Sequence, residues 1–195
     1  MRNKIFRKVM TLVTMVAAAG TVMMATACST SNTIDAEGTT VSSYEHAIDI
    51  LNAVWDKSTH DFPAYGGNFE KNVDNAPGEI PLTDKDTMTS TLLIPEDVQA
   101  HVSEVATIFH MMNTNTLTGA SLKLDGNISS DEVSGKIKDS FKNNQFMCGI
   151  PEEIVIYTVG DNELVYFYGS VEIIDGLQAG ADGLDGAKLA VKENY

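Results

Sequence analysis

Residues 1–28 have the pattern of an export signal, and this leader sets where the rest of the chain must fold. Four basic side chains within the first eight residues precede an apolar segment, residues 9–22. An Ala-Thr-Ala sequence ending at Ala27 supplies the small residues that a signal peptidase needs, and Cys28 follows at once. We predict that residues 1–27 are a lipoprotein signal peptide and that Cys28 is lipidated. The chain would then be anchored at the outer face of the cell membrane.

Two other interpretations of the leader remain open. A transmembrane helix fits less well, because the apolar run has only about 14 residues and a span needs roughly 20. Secretion without lipid also satisfies the small-residue rule. Lipidation is favoured by the position of Cys28 and by the polar residues 29–33 that follow it. Two acyl chains give a stable anchor, whereas a single chain binds membranes reversibly.

The charge of the chain limits its partners. The leader contains 4 of the 13 basic side chains and none of the 27 acidic ones, so residues 28–195 carry a formal net charge of −18. Nucleic acid needs basic surfaces, and we expect none as a partner. Anionic lipid headgroups would also be repelled, so we expect the lipid on Cys28 to provide the membrane contact.

Length and composition predict one domain after the leader. Residues 28–40 are polar and poor in large apolar side chains, which is typical of a flexible tether. Residues 41–195 are enough for a single domain with a substantial core. The sequence has two cysteines, and an acylated Cys28 cannot form a disulfide. We expect Cys148, in an apolar turn, to be a small buried hydrophobe rather than a nucleophile, since no histidine is near it in sequence.

The first half of the chain predicts two helices and a strand. Helical spacing of apolar residues over 43–57 places Trp55 on the face toward the core. An irregular segment, residues 58–87, follows, and the β-favouring run Thr87–Ile94 predicts an edge strand. Pro95 has the character of a helix start, and the apolar spacing extends that helix to Met112.

The second half predicts a strand, a helix and a hairpin. Residues 117–124 favour a strand, and Ser129 with Glu132 has the capping-box spacing of a helix start. Residues 153–159 and 164–174 predict the hairpin, and residues 175–195 a poor helix or a frayed terminus. This order predicts an α+β fold, a two-layer sandwich with a small, mainly antiparallel sheet and helices packed on one face.

Two groups of residues deserve a test as metal sites. His101, His110, Met111 and Met112 are ligand types that copper prefers. However, nine residues on a helix place the two histidines on opposite sides. The residues that follow Asp125 begin like a calcium loop, but Lys136 stands where a bidentate glutamate is required. We therefore predict no metal and no other cofactor.

No catalytic motif is present in the sequence. The nucleophile elbow, the phosphate-binding loop and the dinucleotide fingerprint are all absent. We predict that the protein is not an enzyme. The alternative is a cell-envelope hydrolase whose acidic residues are brought together only by the fold.

An aromatic segment is the candidate binding site. Its residues are His60, Phe62, Tyr65 and Phe69, and Gly66 with Gly67 allows unusual backbone angles between them. Such residues can line a recognition surface. They can also anchor a loop beneath the edge of the core, and the sequence does not separate these roles.

Two segments, His110–Gly119 and Asn143–Glu152, carry a family resemblance together with the lipid-attachment site. They resemble uncharacterised small lipoproteins of Gram-positive bacteria over about residues 90–175. The resemblance implies a location outside the membrane and a compact α+β domain, and it brings no catalytic residues. We thus expect a lipid-anchored domain that binds a protein partner or a small molecule at the cell surface.

Overall fold

The computed structural model describes residues 33–34, 40–41 and 44–195. The predicted signal peptide and Cys28 lie outside these residues. Within the predicted tether, β1 (Thr33–Ile34) pairs antiparallel with β2 (Thr40–Val41). None of the helices in the described part is both long enough and apolar enough to cross a membrane.

An antiparallel sheet of eight strands forms the centre of the molecule. Its strands are β3 (Ala64–Gly67), β4 (Asn72–Asp74), β5 (Gly78–Glu79), β6 (Val102–His110), β7 (Leu117–Leu124), β8 (Glu153–Val159), β9 (Glu163–Gly169) and β10 (Ala187–Asn194). The order is β10-β8-β9-β7-β6-β3-β4, and β5 pairs with β6. Every pairing is antiparallel. The predicted α+β class with a mainly antiparallel sheet is confirmed.

Helices cover both faces of this sheet. They are α1 (Ala47–Lys57), α2 (Glu96–Gln99), α3 (Ser130–Asn143) and α4 (Val171–Ala181). Helices α1 and α4 pack on one face, and α3 packs on the other together with a π-helical turn, Thr87–Thr91. The prediction that the helices pack on one face only was wrong, because helices cover both faces. The central strands β8 and β9 bury every residue, and such strands need cover on both sides.

Alternate residues of the strands therefore belong to two separate cores. On β6, Val105 and Phe109 face α3, whereas Ala106 and Ile108 face α1. On the α1 face, Trp55 is 5% exposed, which confirms its predicted place in the core. On the α3 face, the hydroxyl of Tyr166 donates to the carbonyl oxygen of Leu92 at 2.7 Å and ties the segment after the π-helical turn to the sheet.

Several predicted elements are confirmed. Helix α1 and strand β7 form where the sequence places them. Helix α3 begins as expected, because the Ser129 hydroxyl accepts from the Glu132 amide at 3.2 Å. The hairpin of β8 and β9 also forms.

Other predicted elements were wrong. The edge strand predicted over 87–94 is the π-helical turn, and the helix predicted over 95–112 is the single turn α2 followed by β6. A spacing of four residues, as between Val105 and Phe109, keeps one face in a strand as well as in a helix. The β-branched residues of this segment favour the strand. The predicted second hairpin strand ends at Gly169. In the tail the helical alternative is confirmed over residues 175–181 by α4, whereas the end of the tail forms β10.

The chain enters the domain at one end of the sheet, and two connecting segments lie at the other end. At one end the chain enters the domain, because Lys123 Nζ donates to the Glu45 carbonyl oxygen at 2.6 Å just before α1. Strand β6 runs from this end to the opposite one over nine residues, which is about 30 Å at the usual rise of a strand. At the opposite end lie the loop before β8 and the turn between β6 and β7. These two segments form the candidate site.

Candidate functional site

Two neighbouring segments at this end of the sheet contain no charged side chain. They are the β6–β7 turn, residues 111–116, and residues 144–151 of the loop between α3 and β8. We call them together the charge-free end. The last residue of that loop, Glu152, turns away, and its carboxylate accepts from the Val171 amide at 2.8 Å. Both segments lie within the stretches that carry the resemblance described above.

Large apolar side chains project from the charge-free end into solvent. Met112 is 79% exposed, Met147 81% and Ile150 66%, and Met111 is half-exposed. Cys148 is a free, exposed cysteine. The prediction that Cys148 is buried was therefore wrong. The apolar character of its neighbours reflects an exposed surface rather than the core.

Side-chain amides hold the two segments together. Asn113 Nδ2 donates to the Cys148 carbonyl oxygen at 2.8 Å. Asn115 Nδ2 donates to the carbonyl oxygens of Met147 and Gly149 at 2.7 and 2.8 Å. Three consecutive carbonyl groups of the loop are thus bound by the turn, so the two segments form one surface.

The loop has an unusual backbone where it meets the turn. Cys148 has a φ of 65° and Gly149 a φ of 122°, both in the left-handed region. A cysteine seldom adopts this conformation. A Cβ atom on residue 149 would lie 3.1 Å from Asn113 Nδ2, so glycine also allows the close approach of the turn.

An aromatic cluster supports the loop from below. Phe146 lies 5.2 Å from Tyr195 and 5.7 Å from Tyr168 between ring centroids. Phe141 contacts the same three rings. Burial raises the pKa of Tyr168 to about 12. The exposed residues of the charge-free end therefore rest on a packed base.

Two of the predicted binding residues adjoin this end. His60 stacks on Trp55 with 3.7 Å between ring centroids, and Phe62 packs against Trp55 at 5.9 Å. Phe62 also stacks on His110 at 5.7 Å, directly before the β6–β7 turn. His60 and Phe62 therefore bridge the core and the edge of the charge-free end.

The other two predicted binding residues lie elsewhere. Tyr65 packs against Phe109 on the opposite face of the sheet, with 5.3 Å between ring centroids, and partial burial raises the pKa of its hydroxyl. Phe69 is 96% exposed in the turn between β3 and β4, beside an open hollow of about 420 Å³. The structure does not bring the four residues into one surface.

The histidines considered as metal ligands lie at the two ends of β6, because this segment is a strand. His101 Nδ1 is 3.2 Å from a carboxylate oxygen of Asp125, and His110 Nδ1 accepts from the Met112 amide at 3.2 Å. Hydrogen bonds from Asn127, with a further one from His101, lower the pKa of Asp125 to about 2. In the described part of the chain, no group of three or more His, Cys, Asp or Glu could hold a metal ion.

Comparison with other proteins adds no relative. No family model matches the chain, and neither a curated protein nor a solved structure matches it significantly. The resemblance to small lipoproteins stays a prediction. The residues that the sequence interpretation missed are Met147, Ile150 and the two asparagines that join the segments. No local signal marks them, because uncharged runs of similar length, such as residues 87–95 and 164–171, occur elsewhere in the chain.

Proposed function

We propose that this protein is a lipid-anchored domain on the outer face of the cell membrane that binds a protein partner or a small ligand through its charge-free end. The observation that carries the proposal is the group of exposed apolar side chains, above all Met112, Met147 and Ile150, on two segments without charge. Apolar side chains grouped on an exposed surface are typical of interaction sites.

Physical properties of this end support binding. Removing water from charged groups is costly unless they are paired, and the charge-free end has none to desolvate. Methionine side chains are flexible and polarisable, so they adapt to the shape of a ligand. The hydrogen bonds that the side-chain amides of Asn113 and Asn115 donate fix the backbone of the loop. A fixed backbone loses less entropy on binding.

The end at which the chain enters the domain is compatible with this role. Glu45 lies at the end of the sheet where the chain enters, near Lys123, and the charge-free end lies at the other end. A tether that leads from Cys28 to Glu45 would leave the charge-free end on the side away from the membrane. The repulsion between an acidic domain and anionic headgroups favours the same orientation.

Photo-crosslinking in intact cells tests the binding surface. A photoreactive amino acid is placed at Met112 or Met147 of the full chain, and at Leu189 as a control, since Leu189 is an exposed apolar residue of β10 away from this end. We expect discrete adducts from positions 112 and 147, not from 189. The substitution Ile150→Glu should abolish them. Adducts that form equally from all three positions, or that survive Ile150→Glu, would contradict the proposal.

Cell fractionation tests the anchor separately. The substitution Cys28→Ser removes the thiol that receives lipid, and we expect the processed protein to leave the membrane fraction. Cys148→Ser is the matched control and should remain in that fraction. A Cys28→Ser protein that is cleaved but still membrane-bound would refute lipid anchoring without affecting the binding surface.

A further inference from the structure

We infer that Tyr195 is a strap, a residue that ties together both ends of the loop between α3 and β8, and that the charge-free end binds its partner only while this strap is docked. Tyr195 follows directly after β10, the strand at one edge of the sheet. The inference rests on the proposed function, because it concerns the control of the same surface. It goes further in assigning the residue that exerts this control.

Tyr195 contacts the loop at its first and its last residue. The Tyr195 hydroxyl donates to the carbonyl oxygen of Asn144, where the loop begins, at 2.7 Å. The Tyr195 backbone amide donates to the carbonyl oxygen of Glu152, where the loop ends, at 3.0 Å. One residue therefore spans the base of the loop and fixes the separation of its two ends.

The ring of Tyr195 belongs to the aromatic cluster beneath the loop. It meets the ring of Phe146 edge-on with 5.2 Å between centroids, and that of Phe141 in the same way at 5.6 Å. Phe146 is part of the loop, whereas Phe141 is part of α3. Edge-to-face contacts of this kind stabilise beyond the burial of the two rings. The docked ring thus joins the loop to the helix that precedes it.

The strand that carries Tyr195 is suited to local release. In the described part of the chain β10 pairs with β8 alone, and a bulge interrupts the register between Leu189 and Val191. Tyr195 itself is 46% exposed. Segments with few buried contacts open locally at a small part of the free energy that global unfolding requires. We therefore expect the end of β10 and the loop to open together while the central strands stay folded.

A lysine of α3 adds a weak contact to the end of β10. Lys142 Nζ donates to the Asn194 carbonyl oxygen at 2.7 Å and lies 3.3 Å from a carboxylate oxygen of Glu193. These groups are exposed, and an exposed ion pair stabilises little because solvent and salt screen it. The strap is thus docked by several contacts that can be lost without unfolding of the domain.

The loop transmits the docking of the strap to the binding surface. Met147 and Ile150 lie between the two ends that Tyr195 holds, and the side-chain amides of the β6–β7 turn hold the loop from the other side. When the strap is released, one of these two supports is lost. Met147 and Ile150 then no longer keep a fixed arrangement with Met112. A partner that binds the closed arrangement must in turn stabilise the docked strap, since coupling is reciprocal.

A spin label on the loop tests the strap. The nitroxide is attached to Cys148, which is exposed, in the full chain carrying Cys28→Ser. Tyr195→Ala should make the mobile component of the spectrum the major one, because a hydrogen bond and two ring contacts are lost. Tyr195→Phe keeps the ring and should have a smaller effect. Leu189→Ala is the matched control, since Leu189 is a similarly exposed residue of β10, and it should leave the label unchanged.

Photo-crosslinking in intact cells tests the coupling to binding. The lipid-anchored chain carries the photoreactive amino acid at Met147, with and without Tyr195→Ala. The yield of adducts should fall by about half or more, because the apparent affinity follows the fraction of chains in the closed arrangement. Amide hydrogen exchange in β9 should stay slow in both proteins, which separates release of the strap from unfolding of the domain.

Two results would overturn the inference. One is a label at Cys148 whose mobility is unchanged in Tyr195→Ala, or rises equally in Leu189→Ala. The other is a mobile loop that still forms adducts at full yield, which would show that Tyr195 does not control binding and would leave the proposed function standing. Absence of adducts from the parent would instead refute the proposed function, while the spin label would still decide whether Tyr195 closes the loop.

Discussion

The Asn115 side chain donates a hydrogen bond to the backbone of Met147, 32 positions away in the sequence. The distance from Asn115 Nδ2 to the Met147 carbonyl oxygen is 2.7 Å. The same nitrogen donates to the Gly149 carbonyl oxygen at 2.8 Å. Together with Asn113, which donates to the Cys148 carbonyl oxygen, this side chain of the β6–β7 turn holds the loop that precedes β8.

The substitution Asn115→Ala should loosen this loop. Loss of two exposed hydrogen bonds is expected to cost about 1 kcal/mol of unfolding free energy. Amide hydrogen exchange over residues 145–150 should become faster, while exchange in β7 and β9 should stay slow. Asn143→Ala, which removes a hydrogen bond to Asp139 within α3, is the control and should leave the loop unchanged. Unchanged exchange over 145–150 in Asn115→Ala would show that the loop is held by its aromatic base instead.

The thiol of Cys148 should react readily in the native protein. It is exposed, so we expect labelling by a thiol reagent at a rate close to that of denatured protein. Cys148→Ala should change the unfolding free energy by no more than about 0.5 kcal/mol, as is usual for exposed positions. Both measurements use the Cys28→Ser chain. Labelling that requires denaturant would mean that the loop covers the thiol.

Much of the fold follows from local signals in the sequence. Helix α3 has a capping box at Ser129, and β8 and β9 are rich in β-branched and aromatic residues, so each is specified within its own segment. Strand β6 was missed because the spacing of Val105 and Phe109 satisfies a helix and a strand equally. Its β-branched residues favour the strand, and pairing with β7, β3 and β5 decides for it.

The candidate site was less predictable for a related reason. Cys148 and Ile150 are apolar residues that the usual rule places inside, but both are exposed in the structure. The hydrogen bonds donated by the Asn113 and Asn115 side chains join segments more than 30 positions apart in the sequence. The predicted aromatic site failed for the opposite reason, because residues close in sequence lie apart in the structure. Its residues are adjacent in sequence, but β3 directs Tyr65 to one face of the sheet while Phe62 packs on the other.

The two phenylalanine residues of the predicted binding segment should differ in their effect on stability. Phe62 packs between Trp55 and His110, so Phe62→Ala is expected to cost about 2–3 kcal/mol of unfolding free energy. Phe69 is 96% exposed, and Phe69→Ala should change it by no more than about 0.5 kcal/mol. Urea unfolding of the two variants provides the measurement. Equal losses would contradict the packing assigned to Phe62.

The same substitution of glycine by alanine should have opposite effects at two positions. A Cβ atom on Gly78 would lie 2.5 Å from the amide nitrogen of Gly67, where β3 and β5 approach each other beside the buried hydroxyl of Thr107. Gly78→Ala should therefore destabilise the fold by about 1–3 kcal/mol. Gly135 lies within α3 with nothing within 4 Å of a Cβ atom, and Gly135→Ala should stabilise by about 0.5–1 kcal/mol. The melting temperatures of the two variants provide the measurement. A shift of the same sign in both would contradict the close approach of Gly78 to Gly67.

The pair formed by His46 and Glu104 should make stability depend on pH. Glu104, on β6, accepts from the Ala47 amide at 2.9 Å and lies 3.3 Å from His46 Nδ1, at the start of α1. The hydrogen bond to Glu104 raises the pKa of His46 above 6.5. Partial burial alone would raise the pKa of Glu104, but the hydrogen bonds from Ala47 and His46 outweigh it and hold the value below 4.5.

The signs of these two shifts define a window in which the pair stabilises most. The contribution of His46 is complete below pH 6.5 and is lost as the pH rises through its raised value in the folded state. That of Glu104 is complete above pH 4.5 and is lost as the pH falls through its lowered value. In urea unfolding, the loss of unfolding free energy caused by Glu104→Gln should therefore be largest near pH 5.5 and smaller at pH 8. Glu45→Gln is the control, because the Glu45 carboxylate is highly exposed and 3.9 Å from His46, and its effect should be smaller at every pH. A Glu104→Gln deficit that is constant from pH 5 to pH 8 would mean that Glu104 acts on the α1 terminus alone, without the histidine.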